Sequence, residues 1–130
     1  MKKILVCGSR GNFLDYRQSV FNALDEHSDF EIVEGCCKDS ADQYAEEYAK
    51  EKNIKIHHYP ANSGNYLKRN IEMVEASDMI IASWDGMSYG TAHTISQGIK
   101  NKKEVVIICL EKKKAQHADL KTFIGGSNDE

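Results

Sequence analysis

Five short apolar runs alternate along the chain with four longer segments in which apolar residues recur every three or four positions. Short apolar runs rich in β-branched residues are typical of buried strands, and the longer spacing is typical of amphipathic helices. The pattern predicts strands over residues 3–7, 30–34, 54–59, 79–83 and 104–110. It predicts helices over residues 14–27, 40–53, 66–76 and 91–101.

The order of these elements defines the fold class. Five strands interleaved with four helices predict an α/β domain with a doubly wound, mostly parallel, Rossmann-like sheet and helices on both faces. The last run, residues 105–109, is continuous and mostly β-branched, as expected for a parallel strand. We expect the domain to span residues 1–111 and a partly flexible extension to follow over residues 112–130.

Composition and charge argue against some classes of function. The 130 residues carry a formal net charge of −3, which gives no basic footprint for nucleic acid or for an anionic membrane. The apolar run near the start is too short for a signal peptide, and no run reaches membrane-spanning length. We therefore expect a cytoplasmic protein, whose cysteines are free thiols. They are Cys7, Cys36, Cys37 and Cys109.

The cysteines and histidines do not have a familiar metal-binding spacing. Cys36 and Cys37 are adjacent, which suits neither an ordinary disulfide nor the C-x-x-C spacing of zinc sites. His57 and His58 are neighbours in a predicted strand, so their side chains point to opposite faces. We therefore predict no metal and no cofactor. His93, in the glycine-rich stretch that opens the last helix, is either a general base or ligand donor, or a histidine at the surface or at a helix start without such a role.

Glycine and small polar residues follow most of the predicted strands. In a doubly wound sheet, ligands bind at the carboxyl ends of the strands, near the point where the strand order reverses. Small residues there let the backbone approach a ligand closely. The candidate residues are Gly8, Ser9 and Arg10 after the first strand, Gly35 and Cys36 after the second, and Asp85 and Gly86 after the fourth.

Two predicted helix starts add an anion site to this edge. Gly90 and Thr91 open the fourth helix, where free backbone N–H groups favour negative charge. Arg69 and Asn70 lie early in the third helix, and Arg69 would add a cation beside the same anion. Arg10 either grips a phosphate with its planar guanidinium or is a solvated surface residue. Neither the G-x-G-x-x-G nor the P-loop motif occurs.

Four short segments follow one another along residues 4–110. They are Val6-Cys7-Gly8-Ser9-Arg10; Glu34-Gly35-Cys36 with Ala41-Asp42 and Ala45; Arg69-Asn70-x-x-Met73; and Asp85-Gly86 with Gly90-Thr91-Ala92. They resemble the G-S/G-R loop, the H-G-G-A-x-G-A-D-x-x-A segment, the R-N/K-x-x-M helix and the P-G-G-x-G-T loop of the SLOG superfamily, in particular its YspA-like branch. This superfamily of Rossmann-like nucleotide-binding domains includes the Lonely Guy phosphoribohydrolases and DNA-processing protein A.

The last segment also resembles nucleoside 2-deoxyribosyltransferases. For these enzymes and the Lonely Guy group, the resemblance implies a catalytic glutamate three residues after the threonine of the Gly-Thr pair. Counting from Thr91 reaches Thr94, whose hydroxyl can neither replace a carboxylate nucleophile nor stabilise an oxocarbenium-like centre by charge. Trp84 and Asp85 stand where the Lonely Guy loop has proline and glycine. The YspA-like branch generally lacks the glutamate too.

Two functions follow from the sequence. The first is binding of a nucleotide or nucleotide-derived small molecule, as a sensor or ligand-binding protein. The alternative is an N-glycosidase or phosphoribosyl hydrolase that uses a displaced acid, for which Asp85, Glu72 and Asp42 are candidates. Asp85 would otherwise hydrogen-bond a ribose hydroxyl or base edge, or only cap its own turn with Gly86. The resemblance also implies a homo-oligomer, because such relatives often pair and complete pockets across a dimer.

Overall fold

The computed structural model describes residues 1–62 and 64–113. The strands are β1 (Lys2–Gly8), β2 (Phe30–Glu34), β3 (Ile56–His58), β4 (Met79–Trp84) and β5 (Glu104–Cys109). The helices are α1 (Arg17–Asp25), α2 (Ala41–Lys52), α3 (Tyr66–Glu75) and α4 (Tyr89–Lys100). Within the described residues, every helix is too short or too polar to cross a membrane.

The five strands form one parallel sheet in the order β3-β2-β1-β4-β5. The chain therefore winds outward from β1 to β3, crosses back over the sheet, and continues through β4 to β5. This confirms the predicted α/β class and the doubly wound sheet. The strand order reverses between β1 and β4, where Gly8 lies beside Ser83. In such sheets, a crevice forms at the carboxyl ends of the two strands on either side of the reversal.

Alternate residues of the central strand pack into two separate cores. Ile4 and Val6 are fully buried against α1 and α2 on one face. Leu5 and Cys7 face α3 and α4 on the other. Because side chains alternate along a strand, β1 needs apolar residues at every position to be covered on both faces. This arrangement explains the continuous apolar run with which the sequence opens.

The starts of α1 and β3 lie later in the chain than the sequence predicted. α1 begins at Arg17 rather than at residue 14, because the backbone before it pairs with the segment that directly follows β5. The Leu14 N–H donates to the Glu111 carbonyl at 2.8 Å, and Phe13 forms an antiparallel bridge with Lys112. β3 begins at residue 56, because Asn53 ends α2 in a left-handed conformation (φ 56°). The rest of the predicted extension, residues 114–130, lies outside the described residues.

Candidate functional site

A cleft of about 260 Å³ opens at the carboxyl edge of the sheet, where the strand order reverses. Its wall combines the ends of β1 and β2 with the first turns of α3 and α4. Eight of the residues that the sequence predicted for ligand binding line this cleft. They are Gly8, Ser9, Arg10, Gly35, Arg69, Asn70, Gly90 and Thr91. Cys36, Asp85 and Gly86, which the sequence also proposed, are not among the lining residues.

The glycines at this edge serve different purposes. A Cβ on Gly8 would lie 2.9 Å from the Ser83 carbonyl oxygen, so Gly8 permits the close packing of β1 against β4. A Cβ on Gly35 would meet the guanidinium of Arg69. A Cβ on Gly90 would have no heavy atom within 4 Å. The missing side chains of Gly8 and Gly35 thus make room for Ser83 and Arg69. Of these three glycines, only Gly90 leaves open space beside the cleft.

Arg69 connects the end of the sheet to α3. Its side chain is buried, and its Nη1 donates to the carbonyl oxygens of Gly35 at 2.8 Å and Tyr59 at 3.0 Å. Its Nε donates to Asn70 Oδ1 at 3.3 Å. Asn70 in turn donates to the Gly90 carbonyl at 3.4 Å. Arg69 thus brings positive charge to the cleft wall, while most of its hydrogen-bonding capacity positions β2, β3 and the start of α4.

The backbone N–H groups in the first turn of α4 face the cleft without a side-chain acceptor. The Ser88 side chain makes no capping hydrogen bond, and the first turn contains no acidic residue. The first turn of a helix leaves backbone N–H groups without helical partners, and those of Gly90 and Thr91 belong to this turn. Thr94, one turn further on, is buried and donates its hydroxyl to the Gly90 carbonyl at 3.2 Å. The free backbone N–H groups of the first turn therefore present hydrogen-bond donors and partial positive charge to the cleft.

Asp85 holds the loop between β4 and α4 in place. Its Oδ1 accepts hydrogen bonds from the backbone N–H groups of Met87 and Ser88, both at 2.8 Å, and from the hydroxyls of Ser88 and Ser9. Desolvation raises the pKa of Asp85, but these hydrogen bonds outweigh it and lower the pKa to about 2. The next residue, Gly86, has a φ of +83°, which suits glycine in a turn. The geometry matches the capping role considered for Asp85.

The other candidate acids have different surroundings. Asp42 lines the cleft and is buried, and its Oδ2 accepts from the N–H groups of Gly35 at 3.2 Å and Cys37 at 2.9 Å. Burial raises the pKa of Asp42, and the two hydrogen bonds offset part of this effect. Glu72 is exposed and does not line the cleft. Among the three acids considered for cleavage, Asp42 is therefore the one in the cleft, and it is already engaged with the backbone.

Several residues that line the cleft were not predicted from the sequence as site residues. Tyr66, the first residue of α3, is 54% exposed at the cleft, and its ring lies 5.8 Å from the Arg69 Cζ. Met73 and Cys7 supply apolar wall, and Cys37 lines the cleft where the sequence had favoured Cys36. The sequence feature that could have identified Tyr66 as a cleft residue is its position as an aromatic residue at the start of a predicted helix. His93 does not line the cleft; its ring stacks near Tyr89, with centroids 6.3 Å apart.

A second cluster of polar side chains lies at the ends of β2 and β3. Glu34 is fully buried, and one of its carboxylate oxygens accepts from the N–H of Cys36. His58 Nε2 lies 3.3 Å from Glu34 Oε2 and 3.2 Å from Glu46 Oε2. Burial, followed by the hydrogen bond shared with Glu46, raises the pKa of Glu34. Desolvation and the charge of Glu34 raise the pKa of Cys36 to about 11. In the absence of a bound cation, Glu34 and Cys36 therefore favour their protonated, neutral forms.

Comparison with known proteins gave no match: no family model, no curated protein and no solved structure is significantly similar to this chain. The structure itself therefore defines the class of protein: a doubly wound parallel α/β domain with a cleft at the point where the strand order reverses.

Proposed function

We propose that the cleft binds a nucleotide or a nucleotide-derived small molecule, with its phosphate at the N-terminus of α4. The observation that carries this proposal is the open space beside Gly90, at a helix N-terminus without a side-chain cap, in the crevice where the strand order reverses. A phosphate in that space would accept hydrogen bonds from the first turn of α4 and would be stabilised by the helix dipole.

The other groups around the cleft suit the remainder of such a ligand. Arg10 is exposed at the cleft, where its guanidinium can pair with a second phosphate oxygen. Tyr66 offers a half-exposed ring on which a base can stack. Cys7 and Met73 supply apolar surface between these groups. A cleft with apolar walls and a few convergent polar groups is the usual form of a small-molecule site.

Binding fits these residues better than cleavage does. Thr94 occupies the position of the glutamate in the enzymes that the sequence resembles, and its hydroxyl is hydrogen-bonded to the Gly90 carbonyl. Asp42, the acid that lines the cleft, already accepts two backbone hydrogen bonds. A sensor or ligand-binding role needs neither residue to react with the ligand.

The test is a panel of inorganic phosphate, nucleoside monophosphates and ADP-ribose-type nucleotides, measured by thermal unfolding and by product chromatography. A ligand at 100 times its Kd stabilises the folded state by about 2.7 kcal/mol. We expect stabilisation without turnover, and weaker binding by Arg10→Ala. Lys100→Ala is the matched control, because Lys100 is an exposed cation at the opposite end of α4. Release of free base would support the hydrolase alternative, and no stabilisation by any ligand would refute the proposal.

A further inference from the structure

We propose that Glu34, Cys36 and His58 form a binding site for Zn²⁺ or a similar divalent transition-metal ion, separate from the cleft. The three residues come from two neighbouring strands. Glu34 ends β2, His58 ends β3, and the two are register partners in the parallel pairing of these strands. Their side chains therefore leave the same face of the sheet, and Cys36 follows Glu34 by two residues.

The donor atoms are close enough to share one ion. A carboxylate oxygen of Glu34, the Cys36 Sγ and a ring nitrogen of His58 all lie within 4.8 Å of one another. Bonds of about 2.0–2.3 Å in a tetrahedral zinc site place neighbouring donor atoms roughly 3.3–3.8 Å apart. A contraction of about 1 Å is thus sufficient. Cys36 is exposed and the His58 side chain is 48% exposed, so both side chains have room to make it.

Glu34 supplies an independent indication of a ligand. Its side chain is fully buried, yet none of the described residues donates a hydrogen bond to its Oε2. That oxygen instead faces His58 Nε2 at 3.3 Å. Leaving a buried carboxylate oxygen without a partner is costly. A metal ion bound between Glu34, Cys36 and His58 would satisfy this oxygen and would take the place of the protons on the Glu34 carboxyl and the Cys36 thiol.

The donor set and its surroundings select the type of ion. A thiolate and an imidazole favour zinc and similar transition metals, whereas magnesium and calcium prefer oxygen ligands. Cys36 has a left-handed backbone conformation (φ 62°), which is unfavourable for residues other than glycine. Glu46 Oε2 lies 3.2 Å from His58 Nε2, and its side chain is 44% exposed, so Glu46 has room to move in as a fourth ligand. Such a site would tie the loop after β2 to the end of β3.

The test measures binding of Zn²⁺ alone to the untagged full chain, by competition with a chromophoric chelator. We expect one ion per chain. Removal of a direct ligand by Cys36→Ser or His58→Gln should weaken binding by roughly 100-fold or more. The matched controls are Cys109→Ser, another exposed thiol, and His57→Gln, whose imidazole pairs with Glu31 at 2.7 Å. Both controls should bind zinc as tightly as the parent chain.

A second measurement keeps the result interpretable. Binding of Co²⁺ should produce a thiolate-to-metal absorption band that Cys36→Ser removes and Cys109→Ser retains. Circular dichroism in the presence of a chelator should show that each variant folds. The proposal is wrong if Cys36→Ser binds zinc as tightly as the parent chain, or if the parent chain binds it only at millimolar concentrations. In that case Glu34 and Glu46 form a carboxyl pair that shares a proton without a metal.

Discussion

Gly90 provides the sharpest test of the proposed anion site, because an acidic residue there should strengthen the fold and abolish binding. Gly90 is the second residue of α4, and a Cβ there meets no heavy atom within 4 Å. The first turn has no acidic residue, and the Ser88 side chain does not cap it. A glutamate at this position therefore enters open space, where it takes the place that we propose for the phosphate.

The expected gain in stability follows from helix energetics. Replacement of glycine by glutamate in a helix gains about 0.5 kcal/mol from helix propensity. A negative charge in the first turn adds about 0.3–1 kcal/mol through the helix dipole. We therefore expect Gly90→Glu to raise the free energy of unfolding by about 1 kcal/mol. For a chain of this size, the corresponding rise in Tm is about 4 °C.

The expected loss of binding follows from charge repulsion. Two like charges 4 Å apart repel by about 4 kcal/mol at an effective dielectric constant of 20. This value corresponds to a loss of affinity of roughly 1,000-fold. Gly90→Gln is the control, since it has the same length and a similar helix propensity but no charge. We expect Gly90→Gln to bind more tightly than Gly90→Glu, because it keeps the steric obstacle and removes the repulsion.

Thermal unfolding of the two variants, with and without the nucleotide panel, measures both effects. A fall of several degrees in the Tm of Gly90→Glu would show that the space beside Gly90 is not open. Unchanged nucleotide stabilisation in Gly90→Glu would show that phosphate does not bind at the start of α4, and would refute the reasoning. Equal losses in Gly90→Glu and Gly90→Gln would assign the effect to size alone.

Three further predictions follow from the contacts described above. Arg69→Ala leaves two carbonyl oxygens without their donor, so urea unfolding should show a loss of about 2–5 kcal/mol. In the native protein a thiol reagent should label the exposed Cys109 rapidly and Cys7 only upon unfolding, because burial raises the pKa of the Cys7 thiol. The Asp85 carboxylate stabilises the fold above its ordinary pKa of 3.8, and this contribution is lost as the pH falls towards 2. The stability difference between the parent chain and Asp85→Asn should therefore be present at pH 7 and vanish between pH 4 and 2.

The sequence by itself determined the fold class and the edge of the sheet that carries the cleft. Apolar periodicity depends on local geometry, so it located, in the correct order, the five strands and four helices that residues 1–62 and 64–113 form. Parallel strands carry their loops to one edge, and the residues after the first strand and at the start of α4 do line one cleft there. The start of α1 was wrong, because residues 12–14 pair with residues 111–113, about 100 positions away.

Only the tertiary structure decided what each polar group does. Arg69 was expected to add positive charge beside an anion. The sequence did not predict its hydrogen bonds to the Gly35 and Tyr59 carbonyls, because they depend on how α3 packs against the ends of β2 and β3. Cys36 does not line the cleft, and its thiol lies within 4.8 Å of a Glu34 carboxylate oxygen. His58 joins that cluster through strand pairing, whereas its sequence neighbour His57 pairs with Glu31. Side-chain partners far apart in sequence are set by strand order and register, which no local pattern encodes.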